Sequence, residues 1–538
     1  MTVFGKAMIR PTGARARARR ERKGECPPRN RRGVILILVT VVIIMVSLAG
    51  LSFVLTLATE HKAIDLHGDE LRLQQLLESG VELLDTFAEQ SPELQRTAGG
   101  ADDNPQLFRG ALVASDERAA RHGRVTVVSP RMDHEEAIGL RYGWEDESAK
   151  LNLAVLPQWE KDVADGARHA LMALPGMTES AAAKILDWLD SDDVPRPGGA
   201  ERQQYADLHL PYSPRNGCPA RLEELLLIHD VPRVLLLGRE FTLDDQPNSR
   251  PAGDRAAGGK NRFSGSSPPW TSMLTLHSAE RNVNPRGEPR IALNDPDLRR
   301  LFTRLSAVVD PAWAEFIVLY RQYGPIVGAI PSPGGKGTAA ANSGRKPEEI
   351  AATLDFGPPS RFRIASILDL IGVSIALSNP PLPPWRIVES PFSTDSLAMR
   401  NYLPVLLDQT TVVPNTVIRG RVNVNSASQA VLRGVPGMDD RLVQAIVANR
   451  RAAADDPERR HPTWLLTEGV VGVPQMKLLL PYLNCGGQVY RAQVIGYFEE
   501  GGPLARAEVV IDATVTPPRP IYWTDLTVRR REFSRDEL

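Results

Sequence analysis

Five carboxylates crowd one short stretch of this 538-residue chain. DWLDSDDVPRPGGAE holds Asp187, Asp190, Asp192 and Asp193 within seven positions, and Glu201 follows a Pro/Gly turn. Carboxylates are hard oxygen donors. A cation such as Ca²⁺ takes about six to eight oxygens at roughly 2.3–2.6 Å, and loop carbonyls can complete the shell. The residues before Asp187 read as a helix, so the acids gather at a helix C-terminus, where negative charge is mildly unfavourable. Two readings stand: a solvated acidic helix end, or a site that invites a counter-cation. The spacing is not that of an EF-hand loop. No catalytic constellation accompanies it. The chain has no Walker loop, no HExxH and no GxSxG, and GPIVGAIPSPGGKGT carries GGKG without a strand–loop–helix setting. Non-enzymatic function is expected. Cys26, Cys218 and Cys485 show no zinc-like spacing, and a Cys218–Cys485 bridge stays open.

The elements that must carry this stretch begin with a membrane segment. From Gly33 to Thr59 the chain has 27 residues without a charge. About 20 apolar residues span a bilayer, whereas a secretory h-region takes only about 7–15. No Ala-x-Ala-like site follows before Glu60. A single transmembrane helix over 34–58 is expected. Residues 1–33 hold eleven Lys/Arg against Glu21 and Glu25, a basic leader that stays in the cytoplasm and leaves the rest outside it. Beyond residue 33 the chain carries 53 basic and 63 acidic residues, a net of −10, which argues against a phosphate-binding surface. Leu66, Leu73, Leu77, Leu84 and Phe87 then form an apolar stripe, and no Pro falls before Ser91. One helix of about 50 residues, with its second half against a globular domain, is predicted.

RVTVVS (Arg124–Ser129) and GLRYGW (Gly139–Trp144) read as strands about a turn holding Pro130 and Asp133. The first strands close a segment at 59–146. Helical texture fills 147–238. A central insert, 239–420, contains linkers rich in Gly, Pro and Ser, and helical texture returns over 421–486. QVYRAQVIGYF and ARAEVVIDATV then alternate as strands within 487–538, separated by a turn at EEGGPL. Two helical segments look alike: Ala170–Leu189 and Ala430–Arg450. Each has a Pro-Gly turn (Pro175-Gly176, Pro436-Gly437), an N-cap (Thr178, Asp439) and an Asn-bearing lead, KLNL or VNVN. A weaker third copy spans Arg290–Arg321. This pattern resembles the helix-hairpin-helix, and a membrane-anchored DNA-uptake protein is the alternative it raises. Against DNA, the second turn glycine is replaced by Thr178 and Asp439, and acids sit beside the turn.

The N-terminus resembles that of type IV pilin-like proteins: a basic stretch ending in Gly, an immediate apolar helix, an amphipathic continuation. The resemblance implies cutting by a prepilin peptidase between Gly33 and Val34. Most such proteins carry Glu at the fifth mature position, where it is thought to meet a neighbouring subunit's amine; here that position is Leu38. Lacking that Glu is typical of the minor pseudopilin K of type II secretion. Asp187–Ile228 closely resembles the helical domain of that family, through Asp187, Trp188, Asp190, Asp192, Pro195, Gly199, Ala200, Glu201, Tyr205, Asn216 and Leu222–Leu227. The resemblance covers Gly33–Gly238 and Arg421–Val528. It implies an α+β fold: a long N-terminal helix on a pilin-like sheet, interrupted by an inserted helical domain with helix-hairpin-helix-like repeats. It implies calcium in the globular region; the candidate ligands read from the residues are Asp190, Asp192 and Glu201, then Asp193, with Trp188 and Tyr205 expected in the core. It further implies a tip subunit of the pseudopilus, anchored once in the inner membrane with its bulk in the periplasm. Its partners would be other minor pseudopilins and the inner-membrane secretion assembly, with no nucleic acid. A minor pilin of a type IV pilus is a close alternative.

Overall fold

The computed structural model describes residues 32–117, 121–133, 136–238, 268–326, 346–377, 386–450 and 457–527. The basic leader up to residue 31 and most of both Gly/Pro/Ser-rich linkers lie outside the described residues.

A single helix runs Arg32–Glu89, as the unbroken apolar and amphipathic pattern predicts. The chain divides into two units, one to Asp69 and one from Glu70. In the first, the large apolar side chains from Ile35 to Leu57 are all exposed, on a helix long and apolar enough to cross a membrane. In the second, Leu73, Leu76, Leu77, Val81, Leu84 and Phe87 are buried at helical spacing. Leu66, expected in that stripe, is 57% exposed; the stripe starts at Leu73.

This stripe covers an antiparallel sheet. The strand order is Ala111–Ala114, Gly123–Asp133, Val489–Phe498, Leu504–Asp512 and Arg519–Asp525. Glu136–Tyr142 also pairs with the second strand and Glu145–Asp146 with the third. Val127 lies opposite Val494, so strands from both ends of the globular region join in one sheet. Two details differ from expectation. Pro130 sits inside its strand, opposite Leu140, and not in the turn. The run Arg519–Asp525 is also a strand; Pro520 disguises it, and it lies at the sheet edge, where Pro is tolerated. Gly80 fixes how close helix and sheet come. A Cβ there would lie 2.4 Å from Val494 Cγ1 and 2.7 Å from Val125 Cγ1.

Between the two halves of the sheet the chain builds helices around one contiguous core, with members from Leu151 to Leu483. The central stretch belongs to it: Trp270 is fully buried, and its Nε1 donates to Pro175 O at 2.9 Å. The paired segments form helices Gly166–Met172 with Glu179–Leu189, Gln429–Arg433 with Asp440–Asn449, and Leu298–Ser306 with Pro311–Tyr323. Thr178 and Asp439 cap as read, accepting from Ala181 N–H at 3.2 Å and Leu442 N–H at 2.7 Å. The lead strand before each pair is closed by a later two-residue strand in parallel. Leu151–Asn152 meets Leu274–Thr275, Ile291–Ala292 meets Thr410–Thr411, and Val422–Asn423 meets Leu483–Asn484. Cys218 and Cys485 are free thiols, so the bridge left open by the sequence is not made.

A buried charge network joins sheet to helices. Glu147, fully buried where the chain leaves the sheet, accepts from Lys150 Nζ at 2.9 Å, from Arg491 Nε at 2.8 Å and Nη2 at 3.2 Å, and from the Thr275 hydroxyl. Lys150 also meets Glu145 at 2.7 Å, and Arg491 meets Glu508 at 2.6 Å. Burial alone would raise the Glu147 pKa. Arg491 and Lys150 outweigh it and hold the carboxyl well below its ordinary 4.5. A carboxylate held low stabilises above its unfolded pKa and loses that contribution as pH falls. Glu147→Gln should therefore cost about 3–5 kcal/mol at neutral pH, as breaking a buried pair does. Chemical denaturation of wild type and variant should show the gap closing as pH drops below the ordinary carboxylate range.

Candidate metal centre

The carboxylate stretch grows out of helix Glu179–Leu189. Its Ala-rich first turns favour helix. Trp188 and Tyr205 pack in the core, 2% and 0% exposed, with ring centroids 5.9 Å apart. Asp187 and Asp190 are three apart, on one face of the last turn. The helix stops at Asp190, whose backbone is extended. Pro195 and Pro197 then turn the chain back, and Gly199 lets it pass against the helix end. A Cβ on Gly199 would lie 1.9 Å from Asp187 Oδ2. Glu201 precedes helix Arg202–Asp207, where Gln204 Oε1 accepts its N–H at 2.9 Å.

The result is a cup. One carboxylate oxygen from each of Asp187, Asp190 and Glu201 falls within 4.8 Å of the others. Asp187 is fully buried and Glu201 is 1% exposed. Both Glu201 carboxylate oxygens and Asp190 Oδ1 are buried and have no hydrogen-bond partner among the described residues. Buried polar atoms are rarely left so. Burial raises the Glu201 pKa, and the charges of Asp187, Asp190, Asp193 and Asp192 add to it, pushing it up to about 7. Burial likewise raises Asp190. Orphaned, inward-facing oxygens of hard-donor type fit a divalent cation such as Ca²⁺.

Two of the four residues named from the sequence, Asp190 and Glu201, meet in this cup. Asp192 and Asp193 do not; they are exposed on the loop. Asp192 Oδ1 accepts from Val194 N–H at 2.9 Å. Asn216 Nδ2 donates to Asp192 O at 2.7 Å and to Asp193 Oδ1 at 3.0 Å. Asn216 thus braces the loop from outside. Asp187, counted in the cluster but not among the ligands, takes the third place, and its i,i+3 relation to Asp190 was the signal for it.

Glu201 gives the site a pH signature. A carboxyl raised by folding binds its proton more tightly in the folded state, so metal-free stability rises as pH falls through 7 toward 5. From about 7 against an ordinary 4.5, the gain is at most about 3 kcal/mol. Denaturation of metal-stripped protein across this range should show it, and Glu201→Gln should abolish it.

Residues 149–237 match the family model for type II secretion system (T2SS), protein K. The matched segment starts just past Glu147 and contains the whole carboxylate cup. No curated protein and no solved structure matches the chain. Through this segment the chain is similar to the type II secretion system protein K family.

Proposed function

We propose that this chain is the minor pseudopilin of a type II secretion system that sits at the pseudopilus tip and assists protein export across the outer membrane. The observation that carries the reading is the match of residues 149–237 to protein K. Three features support it. The helix Arg32–Glu89 couples an exposed apolar segment to a stripe packed on a sheet. The bulk of the second unit suits a subunit that caps a thin filament more than one repeated along it. Leu38 stands where a subunit with a neighbour above it would use an acid. In this reading the chain is anchored once in the inner membrane, its N-terminus is cytoplasmic and its globular part is periplasmic. Its partners are the other minor pseudopilins, the inner-membrane assembly and a prepilin peptidase that cuts between Gly33 and Val34.

The helix pairs also bear on the DNA-uptake alternative. A phosphate site at a hairpin turn needs free backbone N–H groups and no nearby negative charge. Here the turn acids are engaged within the hairpins, Arg168 with Glu179 at 2.6 Å and Arg433 with Asp440 at 2.9 Å. Leu235 packs 3.1 Å from where a Gly176 Cβ would lie. These contacts favour structural use of the hairpins.

Asp187, Asp190 and Glu201 would hold the divalent cation. Bound there, it would offset most of the cup's negative charge and tie the helix end to the returning loop. With free Ca²⁺ at a hundred times its Kd, a single site adds about 2.7 kcal/mol of stability. The melting temperature of chelator-stripped protein should rise with Ca²⁺ and stay unmoved in Glu201→Gln.

The assembly reading has its own test. Full-length chain co-expressed with a prepilin peptidase should begin at Val34 by mass spectrometry and remain intact without the peptidase. In a strain lacking the chain, wild type should restore secretion and Gly33→Leu should not. Secretion unaffected by loss of the chain would sink the proposal.

A further inference from the structure

Arg196 reaches into the carboxylate cup. Its Nη1 donates to Asp187 Oδ1 at 2.8 Å and to Asp190 Oδ2, and its backbone N–H lies 3.3 and 3.2 Å from the two Asp187 oxygens. The side chain is 31% exposed, so it enters from the surface. The charge balance is incomplete. One guanidinium faces three carboxylates, and it bonds two of them. Among the described residues, nothing partners either oxygen of Glu201, which is 1% exposed, or Asp190 Oδ1.

A divalent cation drawing oxygens to about 2.3–2.6 Å would need the Asp187 and Asp190 carboxylates that Arg196 now holds. Two cations sharing those oxygens in a buried cup repel strongly. The backbone and the side chain of Arg196 are separable here. Pro195 and Pro197 restrain the chain on either side. The N–H bond to Asp187 can therefore persist while the side chain leaves for solvent.

We propose that Arg196 is a tethered counter-ion of the cup: it occupies Asp187 and Asp190 when no metal is bound, is displaced when a divalent cation enters, and so sets the affinity of the site. The inference rests on the cation reading above. Arg196 keeps the metal-free cup from carrying three uncompensated charges, at the cost of weaker binding. The cup then loads only where the cation is abundant.

Isothermal titration with Ca²⁺ alone tests this, on full-length, chelator-stripped protein in detergent: wild type, Arg196→Gln, Arg196→Lys and Glu201→Gln. Arg196→Gln should bind Ca²⁺ at least tenfold more tightly than wild type. Its metal-free form should melt lower, and its loaded form should melt close to loaded wild type. Arg196→Lys keeps a cation that cannot bridge both carboxylates as the guanidinium does, so it should tighten binding by a smaller factor. It also serves if Arg196→Gln does not fold without metal. Ca²⁺ binding by wild type with no tightening in either Arg196 variant would overturn the counter-ion role and leave the cation reading intact. No uptake by wild type, with Glu201→Gln behaving identically, would overturn both.

Discussion

A carboxylate with no access to water has to be paired, and Glu147 is that carboxylate. Desolvating a charge costs several kcal/mol unless opposite charges and hydrogen bonds answer it. The answer comes from three directions: Lys150 along the chain, Arg491 from the sheet and Thr275 from the strand that closes the first helical unit. Arg491 in turn is anchored by Glu508 on the next strand. The network can form only if the residues after 487 return to the sheet at one register and the central stretch closes at Thr275. Asp146, next door, imposes the same condition. It accepts from Gly487 N–H at 2.9 Å and from Asn423 Nδ2 at 2.9 Å, tying the exit from the sheet to the return and to the third lead. One buried seam therefore makes the sheet and the inserted helices interdependent.

The helical units solve a shared problem in different ways. Each must hold the end of its second helix against its own lead. In two units an arginine does it. Arg450 donates to Val424 O at 3.0 Å and Ala427 O at 2.5 Å, and Arg321 to Leu293 O at 2.5 Å and Asp295 O at 3.2 Å. In the first unit Leu189 lies as far past Pro175 as Arg450 lies past Pro436, and Leu189 is core. The helix end of this unit is left to carboxylates and to Arg196. The repeat that departs from the arginine device is the one that carries the cup.

Much of this architecture is legible in the sequence, because it rests on patterns longer than a single contact. The uncharged run, the stripe from Leu73 to Phe87 and the two alternating C-terminal strands are periodic over several turns or residues. The Pro-Gly turns and their caps are local chemistry. The parts that resist reading are contacts between remote segments. A two-residue strand such as Thr410–Thr411 has no period to detect, and nothing near Glu147 announces that Arg491 will reach it. The cup shows both sides of this. Its acidity is plain, but which acids turn inward is decided by Arg196 N–H, by the close pass of Gly199 and by Asn216, which holds Asp192 and Asp193 outside.

The same contacts weigh on what the acidic cluster is for. A solvated acidic helix end would leave its carboxylates in water, where like charges are screened and local cost is small. Asp192 and Asp193 fit that description. Asp187 and Glu201 do not. They are drawn under the loop, close to Asp190, where burial and the charge of Asp187 raise the cost of charging Glu201, and among the described residues no hydrogen-bond donor offsets it. A fold that only needed to end a helix could have placed Leu or Gln at 201 and avoided that cost. Three carboxylates whose oxygens face one another carry more negative charge than the single guanidinium answers, and a divalent cation taking its place would answer more of it. The cation would in turn lock together the loop that Asn216 braces, the helix end and the start of Arg202–Asp207, making the unit rigid where the family match is centred.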